Sequence, residues 1–487
     1  MTKSWKVGEA GAPKFAADYE IVRRAVLQAT DIKSNHNKYY ALELHAARGA
    51  TSSGFRLYTH YGRTDDLQTN PEAGQRECRY FDGLNEATAE YMAIYRQKTS
   101  AAKGYHEVSL ASCKIGSEKA RGQSAGEVDA ATMARLKAPA KTPTAPRVST
   151  LSAAQSRLVS YLYSEATGAL TSTVAATITA QGIETPLGVL TMGQIAKGEA
   201  ILHELYELFQ KKNRRHNQLV DLSGEFYSAI PHRIGRTRGA IEAAVIDSMA
   251  AFEQKQETLQ LMKDMLLVNG ESGSVLYDTD LEAKYQALKC RVDVLDPGSP
   301  EFRKVADFVE KSQVKTRSVK VRGVSVLRRQ GEHEAFRGNL ENERMLFHGS
   351  RTKNWVGILT RGIVLPKIAV SMGVTRTDAG WLGNGIYFGD AACTAAFYTT
   401  PGREGTRFMA VSTVGLGRIK DYTKITYGLT APPAGFDSCH GVRAQSGVRS
   451  EFADDEFVVY DTRQQRLDYL VEFTALASLA CLAFPFA

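Results

Sequence analysis

Three chemically capable side chains stand at the edges of short apolar runs far apart in the chain. His348 follows Met345-Leu346-Phe347, Tyr387 sits within Ile386-Tyr387-Phe388, and Glu456 precedes Phe457-Val458-Val459-Tyr460. An imidazole, a phenol and a carboxylate suit a site that holds a polar ligand and stabilises charge developing on it. A lone strand-end histidine is usually structural, so only convergence of the three in a fold would make a site. Each run has the short, β-branched or aromatic pattern of a buried strand. Gly349, directly after His348, lets a ligand approach the backbone closely, and Gly383 and Gly385 relieve crowding where the second run begins.

The chain that must position them has 487 residues, more than one hydrophobic core usually supports, so two to four domains are expected. Its 43% hydrophobic and 23% charged content is that of a globular protein. Lys plus Arg is 61 against 53 for Asp plus Glu, a formal charge of +8 compatible with an anionic partner such as nucleic acid. Cys78, Cys113, Cys290, Cys393, Cys439 and Cys481 are scattered, without a Cys-x-x-Cys pair or a histidine at zinc-ligand spacing. Reduced thiols and no metal are expected. The start is polar, without a secretory apolar core, so a secreted protein is not expected. The apolar tail Phe473 to Ala487 falls short of the roughly 20 residues a membrane helix needs, and it reads as a final core strand with an extension.

Four segments follow from the patterns. Residues 1–114 read as a small β-rich domain, with aromatic strands at Lys38–Leu44 and Phe55–Arg63 and a helix from Leu84 to Lys98 whose Ala87, Tyr91, Ile94 and Tyr95 share a face. Basic and aromatic residues interleave on these strands, which suits phosphate contacts with ring stacking but equally an ordinary solvated sheet face. Residues 115–148, with Gly122–Gly126 and the prolines of Lys137–Pro146, read as a flexible linker. Residues 149–270 read as an all-helical bundle. Ser152 with Gln155 and Thr191 with Gln194 form capping boxes, Ile195, Leu202, Leu205 and Phe209 make one stripe, and a long helix covers Ile241 to Val268. His232 is expected to be structural and Lys211–Arg215 a solvated loop. Residues 271–487 read as an α+β domain of two packed sheets, opening with Val319, Val321, Val324 and Val326.

Arg344–Arg351, Thr352–Leu359, Gly385–Phe388, Gly435–Val442 and Asp455–Tyr460 together resemble the catalytic domain of the poly(ADP-ribose) polymerases, which has the ADP-ribosyltransferase fold. Tyr61-Gly62-Arg63 and Lys103-Gly104-Tyr105 resemble a WGR domain, with tyrosine in place of its tryptophan. Thr185–Leu190 and Leu222–His232 resemble the helical regulatory domain of the DNA-dependent members. Recognisable segments span nearly all the chain outside the linker, and the order resembles the short, finger-less members.

The resemblance implies NAD+ as substrate, Glu456, His348 and Tyr387 as catalytic residues, and His348, Gly349, Ser350, Asn354, Tyr387 and Tyr398 as the NAD+-holding set. Tyr61, Gly62 and Arg63 would contact DNA strand breaks through the phosphate backbone. Protein acceptors would include the chain itself, an accessory protein could complete the acceptor site, and the location would be nuclear in a eukaryote and cytoplasmic otherwise. Two departures from the family pattern weaken the expected NAD+ site. Ala395 stands where a serine is usual, with Thr394 or water as replacement donor, and Val364 stands where an arginine is usual, with Arg361 or Arg376 as substitutes. Asp454 and Asp455 are expected to raise the pKa of Glu456 where buried. The His-Tyr-Glu set implies polymer synthesis triggered by DNA breaks. The alternatives are single ADP-ribose transfer or NAD+ hydrolysis, and an inactive scaffold that binds DNA ends.

Overall fold

The computed structural model describes residues 2–48, 53–128, 150–173, 177–179, 182–209, 211, 215–230, 234, 237–269, 280–313, 319–365 and 380–475. The chain divides into two compact units, Met1–Pro146 with Ala169–Tyr277, and Arg147–Gly168 with Asp278–Ala487.

In the first unit β1 (Trp5–Lys6), β2 (Tyr19–Asp31), β3 (His36–Ala47), β4 (Phe55–Arg63), β5 (Gln75–Phe81) and β6 (His106–Glu107) form an antiparallel sheet in the order β1-β5-β4-β3-β2-β6. The two aromatic runs are β3 and β4, as their composition predicts. Helix α1 (Leu84–Thr99) buries Ala87, Tyr91 and Ile94 against Leu27, Leu42, Leu57 and Phe81 of the sheet, the face that 3.6-residue spacing selects. A second cluster joins Val26, Tyr39 and Ala41 to Val108, Leu110, Cys113, Ile115 and Ala125.

That second cluster corrects the linker reading over its first part. Ile115, Ala120 and Ala125 are buried, and Leu110 and Ala125 exchange two backbone hydrogen bonds of 2.9 Å. Gly122 and Gly126, at φ of +78° and +69°, turn the chain back on itself, so small residues that look like a tether pack as core. Lys137–Pro146 lies outside the described residues.

The Ser152–Gln155 capping box is formed reciprocally, Ser152 N to Gln155 Oε1 at 2.9 Å and Gln155 N to Ser152 Oγ at 3.2 Å, and it starts α2 (Ala153–Thr173), whose residues to Gly168 belong to the second unit. Thereafter the helical reading needs correcting twice. Strand β7 (Leu110–Cys113) pairs with β10 (Gly188–Leu190), which continues through β9 (Gly182–Glu184) to β8 (Thr177–Thr179), so the region is helical with three short strands. Thr185 Oγ1 accepts from Leu187 N and Gly188 N, both at 3.3 Å, and this local turn directs the run after Pro186 into a strand.

Helices α3 (Met192–Phe209), α4 (His216–Ala229), α5 (Arg238–Glu242) and α6 (Met249–Asn269) follow. The expected long helix from Ile241 is thus broken between α5 and α6. Ser248 Oγ accepts from Ala251 N at 3.3 Å and restarts the helix, while Ile246 N is held by Ser223 Oγ at 2.9 Å. Ile195, Leu202, Leu205 and Phe209 are buried as one stripe of α3. His232 lies outside the described residues, as do most of Lys211–Arg215 and the chain after Ala475, Cys481 included.

The second unit holds β11 (Cys290–Val294), β12 (Val319–Arg329), β13 (Glu343–Ser350), β14 (Ile386–Gly389), β15 (Arg407–Gly415), β16 (Ile419–Tyr422), β17 (Ser438–Gly441), β18 (Glu456–Val459) and β19 (Gln465–Ala475). They form two groups, β11-β12-β19-β15-β13 and β14-β18-β17-β16, joined laterally by one residue pair, Phe347 with Gly389. Helices α7 (Leu281–Ala287), α8 (Pro300–Lys311), α9 (Glu332–Ala335), α10 (Trp355–Arg361) and α11 (Ala392–Phe397) complete an α+β fold. Val305 and Val309 of α8 pack with Val324, Phe347, Met409, Val411, Val471 and Phe473. In α2, Arg157 pairs with Glu472 at 2.9 Å and Glu404 at 2.5 Å.

The second capping box is half formed. Thr191 Oγ1 accepts from Gln194 N at 3.1 Å, but the buried Gln194 side chain accepts from Ser109 N at 2.9 Å and donates to Ala229 O at 2.5 Å. Replacing it leaves two buried backbone groups unpaired. Gln194→Ala is therefore expected to destabilise the first unit by about 2–4 kcal/mol, measured by chemical denaturation followed through tyrosine fluorescence.

Candidate active site

Backbone register assembles the three side chains. Gly389 of β14 lies opposite Phe347 of β13 on one side and Glu456 of β18 on the other, so His348, Tyr387 and Glu456 fall within two residues of one line across three adjacent strands. His348 Nδ1 lies 2.9 Å from the Tyr387 carbonyl. A carbonyl only accepts, so Nδ1 carries the proton and Nε2 is the acceptor of the neutral ring. Burial holds this imidazole below its ordinary pKa, which favours that neutral form.

The Tyr387 hydroxyl donates to Gly383 O at 2.8 Å and accepts from Leu382 N at 2.9 Å. It pins the turn before β14, where its one proton is committed. Gly349 is required by packing, because a Cβ there would overlap the Ala395 carbonyl of α11. Asn354 Nδ2 donates to Ser350 Oγ at 3.2 Å, so these two expected ligand contacts hold each other. Ala395 is buried, and the Thr394 hydroxyl beside it is buried without a hydrogen-bond partner among the described residues.

Tyr398 follows α11 and is exposed. Burial, and then the negative charge of Asp454, push the Glu456 carboxyl up to about 7, while the Tyr398 hydroxyl opposes the rise. Asp455 does not share in this, which corrects one expectation. It accepts from His440 Nε2 and Arg443 N, both at 2.9 Å, and meets Arg443 Nη2 at 3.3 Å. Its charge is balanced within that network.

The network extends on both sides. His440 Nδ1 lies 2.9 Å from Asp421 Oδ1, and its ring stacks on Phe457 at 4.3 Å. Arg443 Nη2 also reaches Asp390 Oδ1 at 3.0 Å, directly after β14. Asp390, Arg443, Asp455 and His440 thus brace the strand ends around Glu456, and of these sequence reasoning missed Asp390, Arg443 and His440. The string Ser438–Val442 was the available signal, but nothing local shows that His440 sits beside Phe457.

On the first unit's sheet, the Tyr61 ring stacks on Tyr40 at 5.3 Å, and its hydroxyl is shared between Gln75 Oε1 at 2.9 Å and Glu77 Oε1 at 2.7 Å. Lys98 Nζ lies 4.2 Å from the Tyr40 ring centre and 5.6 Å from that of Tyr105. Its pKa is lowered, first by burial and then by the positive charges of Lys103, Lys38 and Arg79, which identifies a cluster of cations beside stacked rings. Arg63 is engaged internally, with Nη1 on Asn35 O at 2.8 Å, Nη2 on Asn35 Oδ1 at 3.0 Å and Nε on Asp65 Oδ2 at 3.1 Å. Gly62 is confined by Gly74 and Tyr39, which a Cβ would meet at 3.0–3.1 Å. Among the described residues no group of three or more His, Cys, Asp or Glu could hold a metal ion, and no helix is long and apolar enough to cross a membrane.

Glu456 gives a pH-dependent stability with a definite sign. Its folded pKa is raised above the ordinary value, so its contribution is complete in acid and is lost as pH rises through about 7. Glu456→Gln removes that loss. Its stability is expected to exceed that of the parent at about pH 8, by up to about 3 kcal/mol, and to converge with it only below the ordinary carboxyl value, at about pH 4, read from melting temperatures across pH.

Models of three protein families match successive stretches: the WGR domain at residues 23–111, the poly(ADP-ribose) polymerase regulatory domain at 149–285, and the poly(ADP-ribose) polymerase catalytic domain at 299–475. The chain is 30% identical over 465 residues to the protein mono-ADP-ribosyltransferase PARP4 of Mus musculus, covering 95% of this chain and 21% of that protein. It is 25% identical over 491 residues to the protein mono-ADP-ribosyltransferase PARP3 of Homo sapiens, covering 92% and 86%. It is 30% identical over 287 residues to poly [ADP-ribose] polymerase 2 of Zea mays, covering 56% and 42%. The chain spans about a fifth of the length of the mouse PARP4 protein. The chain thus carries the WGR, regulatory and catalytic domains of the poly(ADP-ribose) polymerases in succession, with His348, Tyr387 and Glu456 assembled in the third.

Proposed function

We propose that this chain is a DNA-break-activated ADP-ribosyltransferase that uses NAD+ as its substrate. The observation that carries the reading is the buried Glu456 carboxylate, held with Tyr387 and His348 within two residues of one line across β18, β14 and β13. Breaking the bond between nicotinamide and ribose sends the electron pair to nicotinamide and leaves positive charge on the ribose carbon, as in glycoside cleavage. An anion beside that carbon stabilises the transition state more than the ground state. Glu456 is that anion. It also accepts the proton of the attacking hydroxyl as the new carbon–oxygen bond forms.

The other residues take positioning roles. His348 Nε2 is an acceptor for a ribose hydroxyl, and the Gly349 backbone reads the nicotinamide amide. Ser350 and Asn354 hold the adenosine end, and the Tyr387 and Tyr398 rings flank the nicotinamide. With Ala395 in place of a serine, the unpartnered Thr394 hydroxyl is the replacement donor.

The His-Tyr-Glu set favours poly-ADP-ribosylation of protein acceptors, including the chain itself, with an accessory protein completing the acceptor site and a nuclear location in a eukaryotic cell. Single transfer is the second reading, favoured because the PARP4 and PARP3 relatives are named mono-ADP-ribosyltransferases. The cations around Lys98, beside the stacked Tyr40 and Tyr61 rings, support binding to DNA breaks through phosphates. Arg63 acts there by holding the Asn35 turn as well as by its charge.

NAD+ consumption and product length, measured with and without a 5′-phosphorylated nicked duplex, test the reading. At least tenfold stimulation by DNA is expected, with turnover lowered about 10²–10⁴-fold by Glu456→Gln. Long products would support polymer formation and single adducts the second reading. No turnover in either condition would overturn the enzyme and leave a DNA-end-binding scaffold. Binding to the duplex is expected to weaken steeply with salt, with Lys98→Ala and Lys103→Ala each reducing the salt slope by about 1.

A further inference from the structure

Glu456 lies between two strand ends. It pairs with Gly389 of β14 on one side and with Gly441 of β17 on the other. Arg443 stands two residues beyond Gly441 and Asp390 directly after Gly389, and Arg443 Nη2 meets Asp390 Oδ1 at 3.0 Å. One ion pair thus passes over the start of β18 and fastens its two neighbours to each other. On the way the same guanidinium nitrogen meets Asp455 Oδ2 at 3.3 Å, in the residue directly before Glu456.

The clasp starts from a fixed backbone. Arg443 N donates to Asp455 Oδ1 at 2.9 Å, and Ala444 N donates to Phe452 O at 2.8 Å. Phe452 is wholly buried, and a Cβ on Gly441 would overlap its ring, so β17 approaches it through a glycine. From there the Arg443 side chain, 29% exposed, reaches both carboxylates.

The groups around the Glu456 carboxyl act on it in different ways. Asp454 raises its pKa and the Tyr398 hydroxyl opposes the rise. Burial pushes the Tyr387 phenol well above its ordinary range, so it stays uncharged. Burial raises the Asp390 carboxyl, and the Arg443 charge opposes that and favours the ionised form. His440 Nε2, at 2.9 Å, is the other side-chain partner of Asp455. Removing the guanidinium would therefore leave the negative charges on both sides of Glu456 less balanced, in a place partly withdrawn from water where screening is weak.

We propose that Arg443 is a positioning residue for Glu456, which clasps the strand ends on either side of the carboxylate, offsets the charges of Asp390 and Asp455, and so sets the pH at which turnover begins. The inference rests on the reading of Glu456 as the catalytic anion. Glu456 works in its ionised form, so turnover rises with pH as the carboxyl loses its proton. Loss of a neighbouring cation disfavours that form and moves the rise to higher pH, whereas loss of a neighbouring anion moves it lower.

The test is kcat/KM for NAD+ consumption by the whole chain with nicked duplex present, from about pH 5.5 to about pH 9. Arg443→Gln is expected to move the acidic limb up by about half a pH unit or more, and Asp390→Asn to move it down. Arg443→Lys, which keeps the charge, is expected to stay close to the parent. Opposite signs in the two neutral variants separate a charge effect from damage to the fold, and Asp390→Asn keeps the test valid if Arg443→Gln does not fold. A fall by one factor at every pH, an unmoved limb, or a shift of the same sign in both variants would overturn the proposal while leaving Glu456 as the catalytic anion. A parent chain that consumes no NAD+ would overturn that reading and this inference with it, so the two failures are told apart by the parent alone.

Discussion

Among the described residues, the strand of His348 is joined to the strands that carry Tyr387 and Glu456 by one backbone pairing, Phe347 with Gly389. The five strands that carry the imidazole and the four that carry the carboxylate are joined laterally there. A single pair is a weak seam, so side chains must reinforce it. The His348 hydrogen bond to the Tyr387 carbonyl crosses the same seam one residue further along, and Phe347 is wholly buried in the core beneath it. The imidazole is therefore a fastener, and its tautomer is set by the fastening.

A second consequence of the seam is electrostatic. Glu456 begins β18 in a nearly dry position, next to Asp454 and Asp455 and across from β14, which Asp390 directly follows. Four carboxylates so close would repel one another in a medium of low dielectric. Arg443 draws Asp390 and Asp455 together, and His440 draws Asp455 toward Asp421, so only Asp454 acts strongly on Glu456. The flanking residues let one glutamate be perturbed without the strand ends separating.

Much of the fold was legible because it depends on local pattern. The aromatic runs of β3 and β4, the buried face of α1 and the box at Ser152 each follow from spacing and side-chain type. What sequence could not show rests on contacts between distant residues. Ala125 packs as core only because Leu110 lies opposite it, and Gln194 leaves its capping role because Ser109 and Ala229 offer better partners. The convergence of His348, Tyr387 and Glu456 was legible through their motifs, whereas Arg443 and His440 join the strand ends only once β17 lies beside β18. The fork of Arg63, expected at a DNA phosphate, is closed on Asn35, a left-handed residue at φ +52° whose turn needs an anchor.

The contact of α4 with β2 in the first unit bears on how motion passes between them. Gly224 faces the Thr30 carbonyl so closely that even a methyl group would come within 2.5 Å of it, and Ser228 Oγ accepts from Thr30 N at 2.8 Å. An interface cushioned by leucines would absorb a small displacement through rotamer changes, as a soft gasket does. Here backbone bears on backbone with no compressible layer between, so a shift of the sheet edge by tenths of an ångström reaches the helix almost undiminished.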